Sequence, residues 1–546
     1  MVFQQRQIKR FIWLAGGVAI ALIAAPVTAL MDSVGEAGID ARRLHESPYN
    51  LTGEKIAIGQ VEIGRPAVTR LDKTSPLDTV VRVRQVFFRD LAPTPNELVD
   101  GHAANVASVM ISQDKSHTGV APNARLYSSA VGILEDNGQP EECLASQTVA
   151  SQNGDDVRAI NFSFGESLAR DPRPDAMLDG NALLTQCIDW SSNAHGVLYV
   201  IAGNQGRGGI PIPTDNFNGM NVSNSTRVNG EFTKVDYSSL SSEPEVIIGR
   251  EEALESNVGP RRSLSLVAPG TNIEMFNPDG RLIRSTGTSF AAPHVTAAVA
   301  LIQEYGDRQL RDNAENWSLD SRNPQVSKAI LMNSADKVED QGDGRHLGMS
   351  RTLLTHRNLN WVDLDAYSDP TRPLSAELGT GHLNAYRAVQ QFSAGQWSPD
   401  APVPVMGWDY RSVASADGTL AYRDYVIDQP LEAGSYLSAT LAWNRLVELK
   451  DDNGNERYDI GESFDDRGLN NLNLYLMRAD DTDTGDAIWS SVSEVDSVEH
   501  IFHQVPATGR YKIRVVYAGQ ANEPVQPYAL AWWAKSAAIA PAQAPQ

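Results

Sequence analysis

From Gly53 to about Ala202, short runs rich in β-branched residues alternate with helix-like stretches. The runs Lys55 to Val61, Arg125 to Val131, Val157 to Phe162 and Gly196 to Ala202 are apolar with little alternation, which predicts strands buried on both faces. Strand and helix in turn predict an α/β architecture, a mostly parallel central sheet with helices on both faces. Sheets of this kind place their chemistry at the carboxyl ends of the strands. Near Ser398-Pro399-Asp400-Ala401-Pro402-Val403-Pro404 the proline density predicts a linker, residues 397–404, that ends a first domain spanning 30–396. Beyond it the pattern changes to period two. Leu437, Ala439, Leu441 and Trp443 alternate with other residues, as do Leu472, Leu474 and Leu476, and Tyr511, Ile513, Val515 and Tyr517. Such alternation predicts half-buried antiparallel strands, and several of them without an intervening helix predict an all-β sandwich over 405–536. Residues 537–546, mostly Ala, Pro and Gln, read as a loose tail.

Composition narrows the class of protein. The chain has 546 residues, 41% hydrophobic and 21% charged, which suits folded domains and excludes a disordered or coiled-coil chain. A formal net charge of -22 argues against nucleic acid or an anionic membrane surface as partner. Arg6, Lys9 and Arg10 precede an apolar run from Phe11 to Pro26 and then Val27-Thr28-Ala29, the pattern of a signal peptide over residues 1–29. That run is shorter than the roughly 20 residues that span a bilayer, so cleavage after Ala29 and a secreted protein, extracellular or periplasmic, are expected, with no stable membrane insertion afterwards. The expected state is a monomer. Export allows a disulfide between the only two cysteines, Cys143 and Cys187, although the sequence is equally compatible with two buried thiols.

The strongest chemical signal is Ser285-Thr286-Gly287-Thr288-Ser289-Phe290-Ala291-Ala292-Pro293-His294-Val295, followed by a run of small apolar residues. Pro293 is tolerable only near a helix start, and the alanines make a helix slim enough to be buried. A serine there sits among free N–H groups at the positive end of the helix dipole, where negative charge on an attacked carbonyl is favoured. This string resembles the nucleophile motif of the subtilisin-like serine proteases, and other blocks follow in that family's order. Asp100-Gly101-His102-Ala103-Ala104-Asn105-Val106-Ala107 is similar to the histidine motif, although Ala103 and Asn105 replace the commoner glycine and histidine. Leu198 to Gly206 is similar to the strand and turn whose asparagine lines the oxyanion hole, here Asn204, with Ala202 and Gly203 beside the substrate. Ala159 to Gly165 looks like the strand that pairs with extended substrate backbone through Ser163, Phe164 and Gly165. His117 to Ala124, Val267 to Gly270 and Gly379 to Ala385 match further landmarks, read as framework.

The resemblance implies hydrolysis of polypeptide through an acyl-enzyme, with Ser289 as nucleophile, His102 as general base and no cofactor for catalysis. One position departs from the family. Its first motif is an apolar strand ending in aspartate, a small residue and glycine, whereas Gln60-Val61-Glu62-Ile63-Gly64 places Glu62 in the acid's position. Glu62 is expected to accept the Nδ1 hydrogen of His102, with Asp100 as the rival carboxylate. A folded propeptide, usual in the family, has no room in Leu30 to Gly53, so unaided folding or help from a separate chain is expected. In the sandwich, Asp451, Asn453, Asn455, Asp459 and Glu462 have the spacing of a calcium loop, without the glycine usual at its sixth position and without flanking helices, which predicts a structural Ca2+ site. Two readings of other classes stand beside the protease: a catalytically inactive secreted binding protein, and a calcium-dependent adhesin working through the sandwich.

Overall fold

The computed structural model describes residues 30–73, 80–134, 136–174, 176–203, 211–228, 230–235, 257–258, 261–415 and 421–538. The strands of the first part are β1 (Ala57–Glu62), β2 (Gln85–Phe88), β3 (Arg125–Ala130), β4 (Val157–Phe162), β5 (Leu198–Ala202), β6 (Met220–Val228), β7 (Glu231–Lys234), β8 (Leu264–Pro269) and β9 (Leu353–Leu354). They form one sheet in the order β9-β7-β6-β5-β4-β1-β3-β2, with β8 also paired to β6. Every pairing is parallel except that of β6 with β7. All six residues of β1 and of β4 are buried, as expected of strands covered on both faces.

The helices that place the site are α1 (Gly101–Ile111), α2 (Gln139–Ala150), α3 (Leu183–Ala194), α4 (Thr288–Arg311), α5 (Pro324–Asn333) and α6 (Ala385–Phe392). Helix α4 runs through the core, and Ala291, Ala292, Ala297, Ala298 and Ala300 are fully buried. Small side chains let the sheet and α1 approach its axis closely. Residues 30–53 are part of the same body: Ile39, Leu44 and Leu51 join the core cluster, and Ser33 Oγ meets His294 of α4 at 2.9 Å. Cys143 of α2 and Cys187 of α3 form a disulfide, resolving the choice the sequence left open.

The second part is a sandwich of two four-stranded antiparallel sheets. One holds β10 (Met406–Ala414), β12 (Tyr436–Trp443), β15 (Val498–Gln504) and β17 (Val525–Ala534); the other holds β11 (Tyr422–Val426), β13 (Asn471–Arg478), β14 (Trp489–Ser491) and β16 (Tyr511–Gly519). The eleven alternating residues singled out from the sequence all lie in the core between the sheets. One expectation needs correcting, because β12 is buried on both faces. Its opposite face packs on α5, where Asn333 Oδ1 accepts from Ser438 Oγ (2.8 Å) and Thr440 Oγ1 (3.0 Å). Trp408, Ala442, Val498, Ala529 and Ala531 of the same sheet join the core cluster of the first part. Short hydroxyl and alanine side chains look like a solvent face in sequence, yet here they cover another domain.

Candidate active site

Strand β1 delivers Glu62 to the carboxyl edge of the sheet, beside the end of β4, from which Ser163 continues. Its side chain is only 2% exposed. The chain then turns at Gly64, where an added Cβ would lie 2.3 Å from the Cβ of Asp100, so only glycine fits. Backbone bonds from Arg65 N–H to Leu98 O (2.8 Å) and from Asp100 N–H to Arg65 O (2.9 Å) fasten this turn to the start of α1. Gln60 Nε2 adds a bond to Ala103 O at 2.9 Å. Together these contacts bring His102 Nδ1 to 3.1 Å from Glu62 Oε2. Asp100, the rival acid, caps α1 by accepting from Ala103 N–H at 3.1 Å.

The imidazole of His102 is 38% exposed and lies against the ring of Phe290, centroids 5.6 Å apart, which puts it beside the first turn of α4. Burial pushes its pKa down. The charge of Glu62, the hydrogen bond to it and the charge of Asp100 outweigh burial and hold the ring above the ordinary histidine value.

Ser289 is buried in the first turn of α4. Thr288 Oγ1 donates to Gly203 O (2.9 Å), and Gly287 N–H to Gly270 O (2.9 Å), so the turn is anchored to the ends of β5 and β8. Gly270 is required there, since a Cβ would come 2.6 Å from Gly287 O. Ser163 brackets the nucleophile candidate from both sides. Its carbonyl accepts from Ser289 Oγ at 3.0 Å, and its hydroxyl donates to Ser289 O at 2.8 Å while accepting from Asn161 Nδ2 at 2.8 Å. The hydroxyl of Ser289 is therefore on the Ser163 carbonyl and not on the His102 ring. A serine has three staggered positions, and nucleophile–base bonds are often loose without substrate.

This arrangement sets a buried serine at a helix N-terminus beside an imidazole that a carboxylate orients. The subtilase family model matches residues 83–350. That stretch of the chain belongs to the subtilase family. The chain is 29% identical over 224 residues to an alkaline protease of Alkalihalobacillus alcalophilus, an alignment covering 40% of this chain and 49% of that protein. It is 28% identical over 224 residues to subtilisin Savinase of Lederbergia lenta, covering 40% and 70%. The chain thus spans about half the length of the first of these relatives. Among solved structures, that of the prenylagaramide maturation protease PagA aligns with 64% of this chain and 97% of its own at 19% identity and a TM-score of 0.42.

Within the subtilase part, Asn204 lies outside the described residues. Its neighbour Gly203 uses both backbone groups inside the protein, its N–H on Val222 O at 2.8 Å and its carbonyl under Thr288. Phe164 is half-buried and stacks on Phe162, centroids 5.2 Å apart, and Ala202 is buried at the end of β5. After Gly165, residues Glu166 and Ser167 pair antiparallel with Ile212 and Pro211. Two supports escaped sequence reasoning, Asn161 and Thr288. Asn161 carried a signal, an amide in a run expected to be buried on both faces, whose polar group had to find a buried partner.

The candidate calcium loop is the tip of a hairpin between Leu446–Lys450 and Ser463–Gly468. Asp451 accepts from the N–H groups of Gly454, Asn455 and Glu456, and Glu462 from those of Asp452 and Asp459. The amides of Asn453 and Asn455 both reach Asp459 Oδ2, at 2.6 and 2.7 Å, so the third, fifth and ninth side chains converge. Among the described residues, no three His, Cys, Asp or Glu side chains gather closely enough to hold a metal by themselves. The donor set here is mixed, with asparagines whose oxygen and nitrogen exchange places on a simple flip.

Proposed function

We propose that the protein is a secreted serine endopeptidase that cleaves polypeptides through an acyl-enzyme. The observation that carries this reading is the Glu62–His102 pair at 3.1 Å beside the helix start that bears Ser289. In the proposed cycle Ser289 Oγ leaves the Ser163 carbonyl, gives its proton to His102 Nε2 and attacks the scissile carbonyl. Glu62 keeps Nδ1 protonated and so leaves Nε2 free as base. The oxyanion forms at the positive end of α4, within reach of the Ser289 N–H, with the Asn204 side chain as second donor. His102 then protonates the leaving amine, and water repeats the sequence on the acyl-enzyme. The segment Ser163–Gly165, which continues β4, would pair with extended substrate, and binding through backbone would make the enzyme tolerant of sequence.

Secretion is supported by the leader pattern in residues 1–29, outside the described residues, and by the disulfide, which an oxidising compartment preserves. No described helix is long and apolar enough to cross a membrane. The inactive-binder reading has one observation in its favour, the Ser289 hydroxyl engaged by Ser163. A fluorophosphonate probe should label the purified chain at Ser289, and casein should be digested; absence of both would leave the binder reading standing.

We also propose that Asp451, Asn453, Asn455, Asp459 and Glu462 hold a structural Ca2+, supported by their spacing in the sequence and by the meeting of the Asn453, Asn455 and Asp459 side chains in the hairpin loop. Bound calcium supplies the positive charge that these oxygens lack, and it takes no part in hydrolysis. At a hundredfold excess over Kd, calcium should stabilise the fold by about 2.7 kcal/mol. Thermal unfolding should shift up with calcium and not with magnesium, and Asp459→Ala should abolish the shift. Identical melting with calcium and with chelator would rule the site out.

A further inference from the structure

Among the sandwich side chains that meet the first part, which include Ser438, Thr440 and Ser497 (Oγ to Phe217 O, 2.7 Å), Arg445 in the turn that follows β12 carries a buried charge. Its guanidinium is 2% exposed and faces Asp189 of α3, which is fully buried. Nε and Nη2 donate to Asp189 Oδ2 at 3.0 and 2.6 Å, and Nη2 also donates to Gly180 O at 2.8 Å. The flat face of the group lies 4.4 Å from the centre of the Phe217 ring. The other oxygen of Asp189 accepts the N–H groups of Phe217 (3.1 Å) and Asn218 (2.8 Å). Asn218 closes the circuit: its Oδ1 accepts from Arg445 N–H at 2.8 Å, and its Nδ2 donates to Arg445 O at 3.1 Å. An ion pair made across two domains therefore grips residues 217 and 218.

The gripped loop matters because of what lies at each end. Upstream, Pro211–Ile212 pairs with Glu166–Ser167, the direct continuation of Ser163–Gly165. Downstream, the loop enters β6, whose Val222 carbonyl holds the Gly203 N–H. Loop 213–219 thus joins two segments that are bonded to the backbones flanking Ser289. We propose that Arg445 is a positioning residue: it fixes loop 213–219 and, through it, the segment Ser163–Gly165, so the sandwich tunes peptide binding without touching the peptide.

The kinetic half of this inference rests on the protease reading, while the mechanical half stands on the contacts alone. Arg445→Met keeps an apolar stem and removes the fork, and Arg445→Lys keeps charge without the planar donors. In Arg445→Met, hydrogen exchange of the full chain should quicken at least about tenfold in 163–167 and 213–222 and stay unchanged in 288–311. With fluorogenic peptides KM should rise about tenfold while kcat stays within about twofold, and Arg445→Lys should fall between wild type and Met. If Arg445→Met does not fold, the double variant Arg445→Met/Asp189→Asn, which removes both charges of the pair together, takes its place. Unchanged exchange in 163–167, or an unmoved KM, overturns the proposal. A wild-type chain that takes no fluorophosphonate sinks the protease reading instead, and the exchange result then decides the link to Arg445.

Discussion

Ser289→Ala should lower turnover of a peptide substrate by on the order of 10⁶-fold while leaving the fold and peptide binding in place. The magnitude follows from how the parts work together: without a nucleophile the base has nothing to deprotonate, and only the anion-stabilising groups and binding remain, worth roughly 10³–10⁴ over water. Structural damage should be small. The hydroxyl donates a single bond to the Ser163 carbonyl, whereas the bond that holds this turn uses the backbone carbonyl of residue 289 and the Ser163 hydroxyl, both retained in the variant. The melting midpoint should therefore stay close to wild type. The measurements are single-turnover cleavage, fluorophosphonate labelling and thermal unfolding on the same preparation. A variant that still cleaves at a tenth of the wild-type rate would show that another group attacks.

What could be read in the sequence follows from where residues act through local pattern. Runs such as Leu198 to Ala202 are apolar without alternation because both faces are covered, and the strand is where that pattern puts it. Alternation at Leu472, Leu474 and Leu476 likewise marked the inner face of a sandwich sheet. Strand β12 misled because period-two reading treats Ser438 and Thr440 as wet, whereas Asn333, more than a hundred residues earlier, provides their partner. The site was legible to the extent that its chemistry sits in contiguous strings. Glu62, His102 and Ser289 each end or begin an element that its own sequence defines, and the Glu62–His102 contact follows. Ser163 was expected to serve substrate through its backbone, and its hydroxyl turns out to hold the nucleophile turn, a bond between residues 126 apart in sequence. Arg445 and Asp189, 256 residues apart, carry no signal at all in a linear reading, since each taken alone is an ordinary surface charge.

Glu62→Gln should reduce kcat by about 10⁴-fold, the cost of losing the charge that fixes the tautomer of a catalytic imidazole. Glutamine preserves the length and the position 3.1 Å from Nδ1, but it can present its amide N–H to the ring, which would leave the proton on Nε2 and remove the base. The pH profile gives a second readout with a definite sign. In the wild type the Glu62 charge, its hydrogen bond and Asp100 together outweigh burial and raise the His102 pKa. The base is neutral only above that pKa, so the acid limb of kcat/KM should lie above the ordinary histidine range near pH 6.5. In Glu62→Gln the two largest raising causes disappear and burial remains, so the residual activity should show its acid limb at lower pH. Asp100→Asn removes a smaller contribution and keeps a side-chain oxygen for the helix cap, so it should move the limb slightly and cost little in kcat. If Asp100→Asn were the crippling change and Glu62→Gln the mild one, the acid would be Asp100, and the longer side chain at the end of β1 would be a spacer between strand and helix.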